Sequence, residues 1–563
     1  MTMGCYGGHG EEGLPANGKE RGAKRIIMVE ITPTMPNLGR FIITPTYGML
    51  AVASVLAERS KYNVTLLYDR YIGKILPEDV VAMEPFVVMA NGLTSAAPDL
   101  EAFFSRFHEL TGGKIPVVAG GEHATMYPEE ARKYADYLLL YEGDETVFPL
   151  LEALEEPDLS KRDSMFSRVP GLCYRDLTGA WRCNPDVPRV DRINYRYNFE
   201  IMPGAKDAGK RFRAARIPLQ TSRGCKYSCS FCSWISLYGK PGYRVRPPED
   251  VVHDAVHASE HMGINDFFMC DNLFAGDEDH VEEVMHQMAV AFEGKKKPSI
   301  TCLMRADQLS GGPNSLSEKR VAQLARGGVS IVSFGLESIS ERSLIQMRKQ
   351  MTLEKYIAAS EMLRRHGIAM LGTFASGFDG DTVDDVRGIA DFAEKMSLFT
   401  VQVYARCITP GTTDMIMSEH RIIPGHPNKY KNGHGVWIMP ALMLPSQLQE
   451  TMFEVALKFH SRIRSRKPAH LIFSRILTQL QPNIRALKRI ENEILLPMRI
   501  YNPVKQEYRM DEDRLLQIYD NKDHLHRYRT MCKRIFTEEV DGASAMQQDQ
   551  TYSIAAGSPG GGA

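Results

Sequence analysis

Three cysteines, Cys225, Cys229 and Cys232, stand close together in the run Arg-Gly-Cys-Lys-Tyr-Ser-Cys-Ser-Phe-Cys at residues 223–232. Their Cys-x3-Cys-x2-Cys spacing supplies three thiolates, whereas a structural zinc site takes four closed ligands and an ordinary electron-transfer iron–sulfur cluster takes four cysteines. Three cysteines can hold a four-iron–four-sulfur cluster that keeps one iron open. An open iron is a place for chemistry, so the spacing predicts a reactive metal centre.

The composition is that of an ordinary soluble protein. The chain has 563 residues, with 43% hydrophobic and 24% charged residues and a net charge of −1, which allows two to four domains. No nucleic-acid partner is expected, because no global charge favours one. The ten cysteines are scattered apart from the one cluster, which favours a ligand site in a reducing cytosol over a disulfide framework. No secretory signal or transmembrane helix is expected, so the predicted location is cytoplasmic.

The segment at 24–155 alternates short apolar runs with stretches of helical periodicity. This alternation is typical of a doubly wound parallel α/β sheet of the flavodoxin-like kind. The predicted strands cover residues 26–31, 64–68, 86–90, 116–119 and 137–141. The predicted helices between them cover residues 47–58, 97–110 and 146–154.

The segment at 213–424 repeats a strand–helix unit six times, which indicates a partial (β/α)6 barrel. The predicted strands cover residues 217–222, 266–270, 299–303, 330–335, 369–376 and 400–405, with helices such as 248–262 and 353–366 between them. The site of such a barrel lies at the carboxyl ends of its strands. Cys225 follows the first strand of this series, at the end where that rule places function.

The remaining segments carry weaker signals. The polar, proline-containing stretch at 156–212 is predicted to be a linker, with a possible hairpin around residues 171–183. A helical C-terminal domain is predicted for 425–540, and the tails at 1–23 and 541–563 are predicted to be disordered. The basic amphipathic stretch at 461–490 is either a solvated helix face or a surface for peripheral contact with anionic lipid or an acidic substrate group.

The cysteine motif, with Phe231 before its third cysteine, resembles the signature of the radical S-adenosylmethionine superfamily. The resemblance implies a 4Fe–4S cluster on the three cysteines, whose open iron binds S-adenosylmethionine. Reductive cleavage there releases a 5′-deoxyadenosyl radical, and a flavodoxin or ferredoxin is the expected electron donor. From the residues alone, a zinc site completed by a distant residue such as His253 stays open.

Polar residues at later strand ends are similar to positions of the same superfamily. The run 333–338 resembles a family Gly-x-Glu-Ser element, and the resemblance implies contacts with S-adenosylmethionine along these strand ends. Each short motif is also common in turns, so a plain structural role is the alternative. The cofactor-binding residues implied in the barrel are Phe231, Asp271, Arg305, Ser333 and Glu337.

Three segments of the first domain, at 45–50, 118–125 and 142–146, resemble cobalamin-binding domains found ahead of radical S-adenosylmethionine cores. A glycine pair at a strand end lets a flat macrocycle or a nucleotide tail approach the backbone, and ligands favour that edge of a doubly wound sheet. The resemblance implies a bound cobalamin. The residues implied to contact it are Thr94, Ser95, Gly120, Gly121, Glu122, Glu142 and Gly143.

The first domain departs from one family pattern. Cobalamin domains that ligate cobalt carry Asp-x-His-x-x-Gly, which this sequence lacks. His123 is therefore not expected to ligate cobalt, and the resemblance implies a water or no lower ligand. A vestigial flavodoxin-like domain without a cofactor is the alternative.

Together these features predict a cobalamin-dependent radical S-adenosylmethionine methyltransferase that acts on an unactivated carbon of a small-molecule or lipid-like substrate. The architecture is similar to that of the anaerobic Mg-protoporphyrin monomethyl ester cyclase and of hopanoid methylases. An oxidative, ring-forming enzyme of the cyclase type and a non-catalytic cobalamin or redox sensor are the alternatives. Lipid, polyketide and tetrapyrrole substrates all remain open.

Overall fold

The computed structural model describes the central part of the chain. The described residues are 22–33, 43–212, 214–237, 242–312, 315–412, 414, 421–423, 435–436, 438–462, 501–502 and 507–508. Nearly all of the predicted tails and of the basic stretch at 461–490 lies outside these residues, as does most of the predicted helical domain at 425–540.

Five parallel strands form the heart of the first sheet, in the order β2-β1-β3-β4-β5. They are almost entirely buried because helices cover both faces, and this is why each reads as a continuous apolar run. The doubly wound prediction is thereby confirmed. The strand order reverses between β1 and β3, and ligands favour the crevice at such a switch point. The strands are β1 (Arg25–Glu30), β2 (Asn63–Tyr68), β3 (Val87–Asn91), β4 (Val117–Gly120) and β5 (Tyr137–Leu139).

The helices of the first domain pack one apolar side against this sheet. In α4, Leu100, Phe103, Phe104 and Phe107 are buried at the spacing of a single helix face. The helices are α1 (Tyr47–Arg59), α2 (Asp69–Ile72), α3 (Pro77–Ala82), α4 (Ala97–Thr111), α5 (Gly121–Met126), α6 (Pro128–Ala131) and α7 (Val147–Glu155), with a 3-10 turn at Thr94–Ala96.

The stretch at 156–212 folds onto the first sheet, so its prediction as a linker is wrong. It forms α8 (Leu159–Phe166), β6 (Leu172–Arg175), β7 (Trp181–Cys183) and α9 (Ala208–Arg211). The hairpin of β6 and β7 was predicted, and β6 pairs antiparallel with β5 at the sheet edge. The polar residues and prolines between these short elements conceal them in the sequence.

One disulfide also departs from the expectation of a reduced chain. Cys173 and Cys183 lie opposite each other in the β6–β7 register, and the structure joins them. Adjacent hairpin positions bring two cysteine side chains within bonding reach.

Six parallel strands form the second sheet in chain order, which confirms the partial barrel. They are β8 (Ile217–Leu219), β11 (Asp266–Met269), β12 (Ser299–Met304), β13 (Val329–Glu337), β14 (Ala369–Ser376) and β15 (Thr400–Ala405). The helices are α10 (Trp234–Leu237), α11 (Pro248–His257), α12 (Glu278–Ala291), α13 (Glu318–Gly327), α14 (Glu341–Gln346), α15 (Leu353–Arg365), α16 (Val383–Lys395) and α17 (Pro445–Arg462), and α11 continues into a π-helical turn at Ala258–Met262. A short antiparallel hairpin of β9 (Ser222–Cys225) and β10 (Gly242–Val245) follows β8.

The two sheets share one hydrophobic core. A single cluster of buried side chains includes Met28 of the first sheet, Phe267 of the barrel and the aromatic residues Tyr195, Tyr197 and Phe199. Since this core is continuous, the two domains are held in one arrangement.

Among the described residues, no helix combines the length and the apolarity that crossing a bilayer needs. The cytoplasmic location stays a prediction.

A fully buried ion pair fixes the β10 end of the barrel to α11. Arg246 Nη2 lies 2.7 Å from Asp254 Oδ2, and neither side chain is exposed. The Tyr197 N–H donates to the other Asp254 oxygen at 2.8 Å, and the Arg246 guanidinium lies 4.0 Å from the centre of the Tyr195 ring. The pair therefore also anchors the aromatic stretch between the domains.

We expect Asp254→Leu to lower the free energy of unfolding by about 3–5 kcal/mol, because it leaves the Arg246 charge buried and unpaired. Urea unfolding followed by circular dichroism measures this loss. The matched control is Asp391→Ala, which removes an exposed pair with Lys458 and is expected to cost less than about 1 kcal/mol. Equal effects of the two substitutions would contradict the structural role of the pair.

Candidate functional site

The cysteine loop begins where β9 ends. Cys225, Cys229 and Cys232 are free thiols of intermediate exposure, and the Cys232 N–H donates to the Cys229 carbonyl at 3.2 Å. Gly224, just before the first cysteine, has φ +92°, and a Cβ there would lie 1.8 Å from the Gly242 carbonyl oxygen. Glycine is thus required for β10 to approach the start of the loop.

The three thiols form a donor set that suits an iron–sulfur cluster. Burial raises the pKa of Cys225, and it raises the pKa of Cys232 to about 11. The neighbouring cysteines raise both values further, whereas Lys349 acts in the opposite direction. The thiolates therefore need a cation to form, and three soft sulfur donors in one loop fit the irons of a cluster.

Arg305 is held as a fixed cation beside the loop. Its Nη1 lies 3.8 Å from Cys229 Sγ, and its guanidinium lies 3.6 Å from the centre of the Tyr227 ring. Asp307 accepts a hydrogen bond from Arg305 Nη2 and another from the Tyr227 hydroxyl, each at 3.0 Å. The structure thus places this predicted residue at the cysteines, with its orientation fixed from both sides.

Glu337 ends β13 in an unusual backbone conformation, with φ +64°. Its Oε1 accepts a hydrogen bond from Lys349 Nζ at 2.9 Å, and the same ammonium lies 5.8 Å from the centre of the Phe231 ring. A Cβ at Gly335 would lie 2.5 Å from Glu337 Oε1. The Gly-x-Glu pattern therefore has a physical reason here, since the glycine makes room for the ion pair. Strained residues of this kind are concentrated at functional sites.

Asp271 and Ser333 are placed differently from these residues. Asp271 is fully buried, and its carboxylate accepts hydrogen bonds from the hydroxyls of Thr221 (at 2.6 Å) and Ser222. Burial raises the pKa of Asp271 to about 6, against the opposing effect of these hydrogen bonds. Asp271 thus supports the strand that leads to the cysteines. Ser333 is also buried, and contact of either residue with S-adenosylmethionine stays a prediction.

A cavity of about 390 Å³ lies at the switch point of the first sheet, between that sheet and the barrel. Most of its wall is apolar, and the barrel contributes Pro218, Trp234, Leu237 and Phe268. Five of the predicted contact residues line it, namely Gly120, Gly121, Glu122, Glu142 and Gly143.

Thr94 and Ser95 do not line this cavity, contrary to expectation. The 3-10 turn that contains them carries Ala96 toward the cavity, next to Leu93, and Ser95 is fully buried. Contact of Thr94 and Ser95 with a corrinoid therefore stays a prediction.

The cavity residues fit a corrinoid. Glycines stand at the ends of β4 and β5, where the backbone forms the wall. Gly121 has φ +80°, and a Cβ there would lie 1.8 Å from Asn91 Oδ1. One buried carboxyl oxygen in the wall, Glu30 Oε2, has no hydrogen-bond partner in the described part of the chain. A mostly apolar pocket with a few polar groups is typical of sites for organic cofactors.

Four buried charges connect the cavity to the cysteine loop. Arg223 donates to both oxygens of Asp144 at 2.8 Å, and Arg244 donates to both oxygens of Glu142 at 2.8 and 2.9 Å. Although burial alone would raise the pKa of Asp144, the charge and hydrogen bonds of Arg223 hold it below its ordinary value. Glu142, predicted as a cofactor contact, has its oxygens occupied by Arg244, Arg223 and the Val190 N–H, so its main role is structural.

Four residues of the site were missed by the sequence reasoning. Arg223 and Asp144 stand inside the two motifs that carried the predictions, and opposite charges beside strand-end glycines were an available signal. Glu30 was detectable as an acid that ends an apolar strand. Lys349 carries no local signal, because only the fold brings it to Glu337.

Comparison with known proteins identifies relatives of this chain. The sequence model of the Radical SAM superfamily matches residues 219–393. An uncharacterized methyltransferase of Pyrococcus horikoshii is 25% identical over 398 residues, which cover 69% of this chain and 81% of that protein. The bacteriochlorophyllide d C-12(1)-methyltransferase of Chlorobaculum tepidum is 30% identical, and the match covers 61% of this chain and 67% of that protein. The anaerobic magnesium-protoporphyrin IX monomethyl ester cyclase of Synechocystis is 24% identical, and the match covers 72% of this chain and 80% of that protein.

A solved structure shares the fold over most of the chain. The cobalamin-dependent S-adenosylmethionine radical enzyme OxsB, with aqua-cobalamin bound, superposes with a TM-score of 0.61 at 16% identity and covers 92% of this chain and 84% of that one. At this identity the likeness establishes the fold.

We expect Asp144→Asn to lower both stability and cluster content, because it removes the negative charge that compensates buried Arg223. The expected loss in the free energy of unfolding is about 3–5 kcal/mol. Iron per chain after anaerobic reconstitution is expected to fall as well, since Arg223 lies two residues before Cys225. The control is Glu145→Gln, which removes the neighbouring exposed pair with Arg59. Unchanged iron content in Asp144→Asn would contradict a link between the two loops.

Proposed function

We propose that this chain, which belongs to the radical S-adenosylmethionine superfamily, is a cobalamin-dependent methyltransferase that methylates a carbon of a small-molecule substrate. The main support is the placement of the site. The cysteine loop and the cavity of the first domain are joined by the buried Arg223–Asp144 pair, so two cofactors bound there would act on one substrate.

Cys225, Cys229 and Cys232 would hold the cluster, and the cavity at the switch point would hold the corrinoid. When bound, the cluster supplies the electron that cleaves S-adenosylmethionine, and the corrinoid carries the methyl group. A reduced flavodoxin or ferredoxin is the proposed electron source.

The protein side chains position the reactants and exclude water. Arg305 and Lys349 place positive charge next to the cysteines, where it favours the carboxylate of an amino acid group. The carboxylate of Glu337 suits the ammonium end of the same ligand. Phe231 and Phe378 pack edge to face, with ring centres 5.9 Å apart, and close the loop on its apolar side. Dry, fixed surroundings of this kind protect a reactive intermediate.

The barrel wall of the cavity supports a substrate with a large apolar body. Trp234, Leu237 and Phe268 line that side, between the cysteine loop and the first sheet. A flat ring system or a lipid-like chain would bury its surface there.

A ring-forming reaction is the second candidate, and the similarity to the Synechocystis cyclase favours it. The two reactions differ in product mass, because methylation adds one methyl group and consumes two molecules of S-adenosylmethionine. A cobalamin or redox sensor, in contrast, does not need to cleave S-adenosylmethionine, so it can function without forming 5′-deoxyadenosine.

The test is anaerobic incubation of the reduced, reconstituted protein with methyl-labelled S-adenosylmethionine and a host extract. We expect 5′-deoxyadenosine and a labelled product, both followed by mass spectrometry. In Cys229→Ala, 5′-deoxyadenosine is expected to fall to background, because the cluster loses one of its three ligands. Cys407→Ser, a change in a partly buried cysteine outside the loop, is the control and keeps full cleavage. A product without the label, or cleavage that survives in Cys229→Ala, would refute the methyltransferase proposal.

A further inference from the structure

Glu30 is the last residue of β1, at the switch point where the cavity opens. Its side chain lines the cavity, although the residue is only 6% exposed. Oε1 accepts the Thr46 N–H at 2.8 Å, immediately before α1 begins. Oε2 is buried and has no hydrogen-bond partner among the residues that the structure describes. Buried polar atoms are nearly always paired, so an unpaired oxygen in a cavity wall indicates a group that the ligand completes.

The surroundings of Glu30 disfavour a negative charge. Burial raises its pKa to about 8. Hydrogen bonding from the backbone and the side chain of Thr46 offsets part of this rise, and the nearby Asp69 adds to it. The Asp69 carboxylate accepts a hydrogen bond from the Thr32 hydroxyl, and the hydroxyl of Tyr68 donates to the Thr44 carbonyl.

Among the described residues, the other titratable groups around Glu30 do not supply a neutralising charge. Tyr71 of α2 lies close enough to interact with it electrostatically, and Arg211 of α9 acts on that tyrosine. Across the cavity, Glu122 of α5 is a second carboxyl whose pKa burial raises. The raised pKa of Glu30 favours its protonated form at neutral pH. Because Oε1 already accepts the Thr46 N–H, Oε2 is the oxygen left to carry the proton.

We propose that Glu30 binds the occupant of the cavity as a neutral carboxylic acid, donating its Oε2 hydrogen to an uncharged acceptor oxygen or nitrogen of the corrinoid. The inference rests on the proposed function, because it takes the first domain to be the corrinoid site. Such an acceptor is present on the amide side chains of the corrin ring and on the nucleotide tail. A hydrogen bond in a desolvated wall selects strongly against ligands that leave the donor unpaired.

The sign of the pH dependence follows from the raised pKa. The donor is present below about pH 8 and is lost as the carboxyl ionises above it. Corrinoid affinity is therefore expected to fall as the pH rises, and the ionised form would in addition present a charge to an acceptor atom.

The experiment titrates full-length protein, carrying its reconstituted cluster, with cyanocobalamin, which does not ionise between these pH values, and follows the visible corrin absorbance. At about pH 6.5 the wild type is expected to bind about tenfold more tightly than at about pH 9. Glu30→Gln keeps an amide donor in place, so its affinity is expected to stay near the wild-type value at the lower pH and to change little with pH. Glu30→Leu is expected to bind about tenfold more weakly at the lower pH. Glu145→Gln, which changes an exposed carboxylate of the same domain, controls for general charge effects and keeps the wild-type profile.

Two results would overturn the inference. If cyanocobalamin binds but Glu30→Gln is as weak as Glu30→Leu, or if wild-type affinity is the same at both pH values, Glu30 is not the donor. If no variant and no wild-type protein binds cyanocobalamin, the corrinoid assignment of the proposed function fails instead. Titration with dicyanocobinamide, which lacks the nucleotide tail, identifies the acceptor: a retained pH dependence assigns it to the ring side chains, and a lost one to the tail. Circular dichroism of each variant confirms that it is folded.

Discussion

Two buried ion pairs join the first sheet to the barrel, and the geometry of the site depends on them. Arg223 and Arg244 come from the β9–β10 hairpin, and their partners Asp144 and Glu142 follow β5 of the first sheet. An unpaired charge in such surroundings costs several kcal/mol, so neither domain can move away without a large penalty. Because Arg223 lies two residues before Cys225, the same interaction that holds the domains together also sets the start of the cysteine loop.

Glycines make this close geometry possible at the two most crowded positions. Gly224 allows the β10 backbone to approach the residue before Cys225, and Gly335 leaves room for the Glu337–Lys349 pair. In both places the steric constraint is local, whereas the groups that approach the glycine include residues from more distant segments, namely Gly242 and Lys349. The site is therefore a set of strand-end side chains whose positions are fixed by backbone contacts and by compensated buried charge.

The regular elements were predictable because their physical signals are local. The last two barrel strands, Ala369–Ser376 and Thr400–Ala405, have the predicted bounds, since a strand buried in a parallel sheet is a continuous apolar run between turns. The hairpin of β6 and β7 was visible, but its attachment to the first sheet was not. Edge pairing with β5 depends on where the chain returns in space, and polar residues on the open side conceal it.

The amino-acid sequence by itself determined the donor set of the metal site and the order of the two α/β domains. Three thiols within eight residues are close enough to share one ligand, and apolar periodicity needs no distant partner. Only the tertiary structure decided which charges pair and which carboxyl has a raised pKa. Arg223 meets Asp144 across 79 positions of the chain, and the pKa of Glu30 rises mainly because folding removes its carboxyl from water. Pairing and desolvation depend on which segments meet in space, and a sequence pattern records neither.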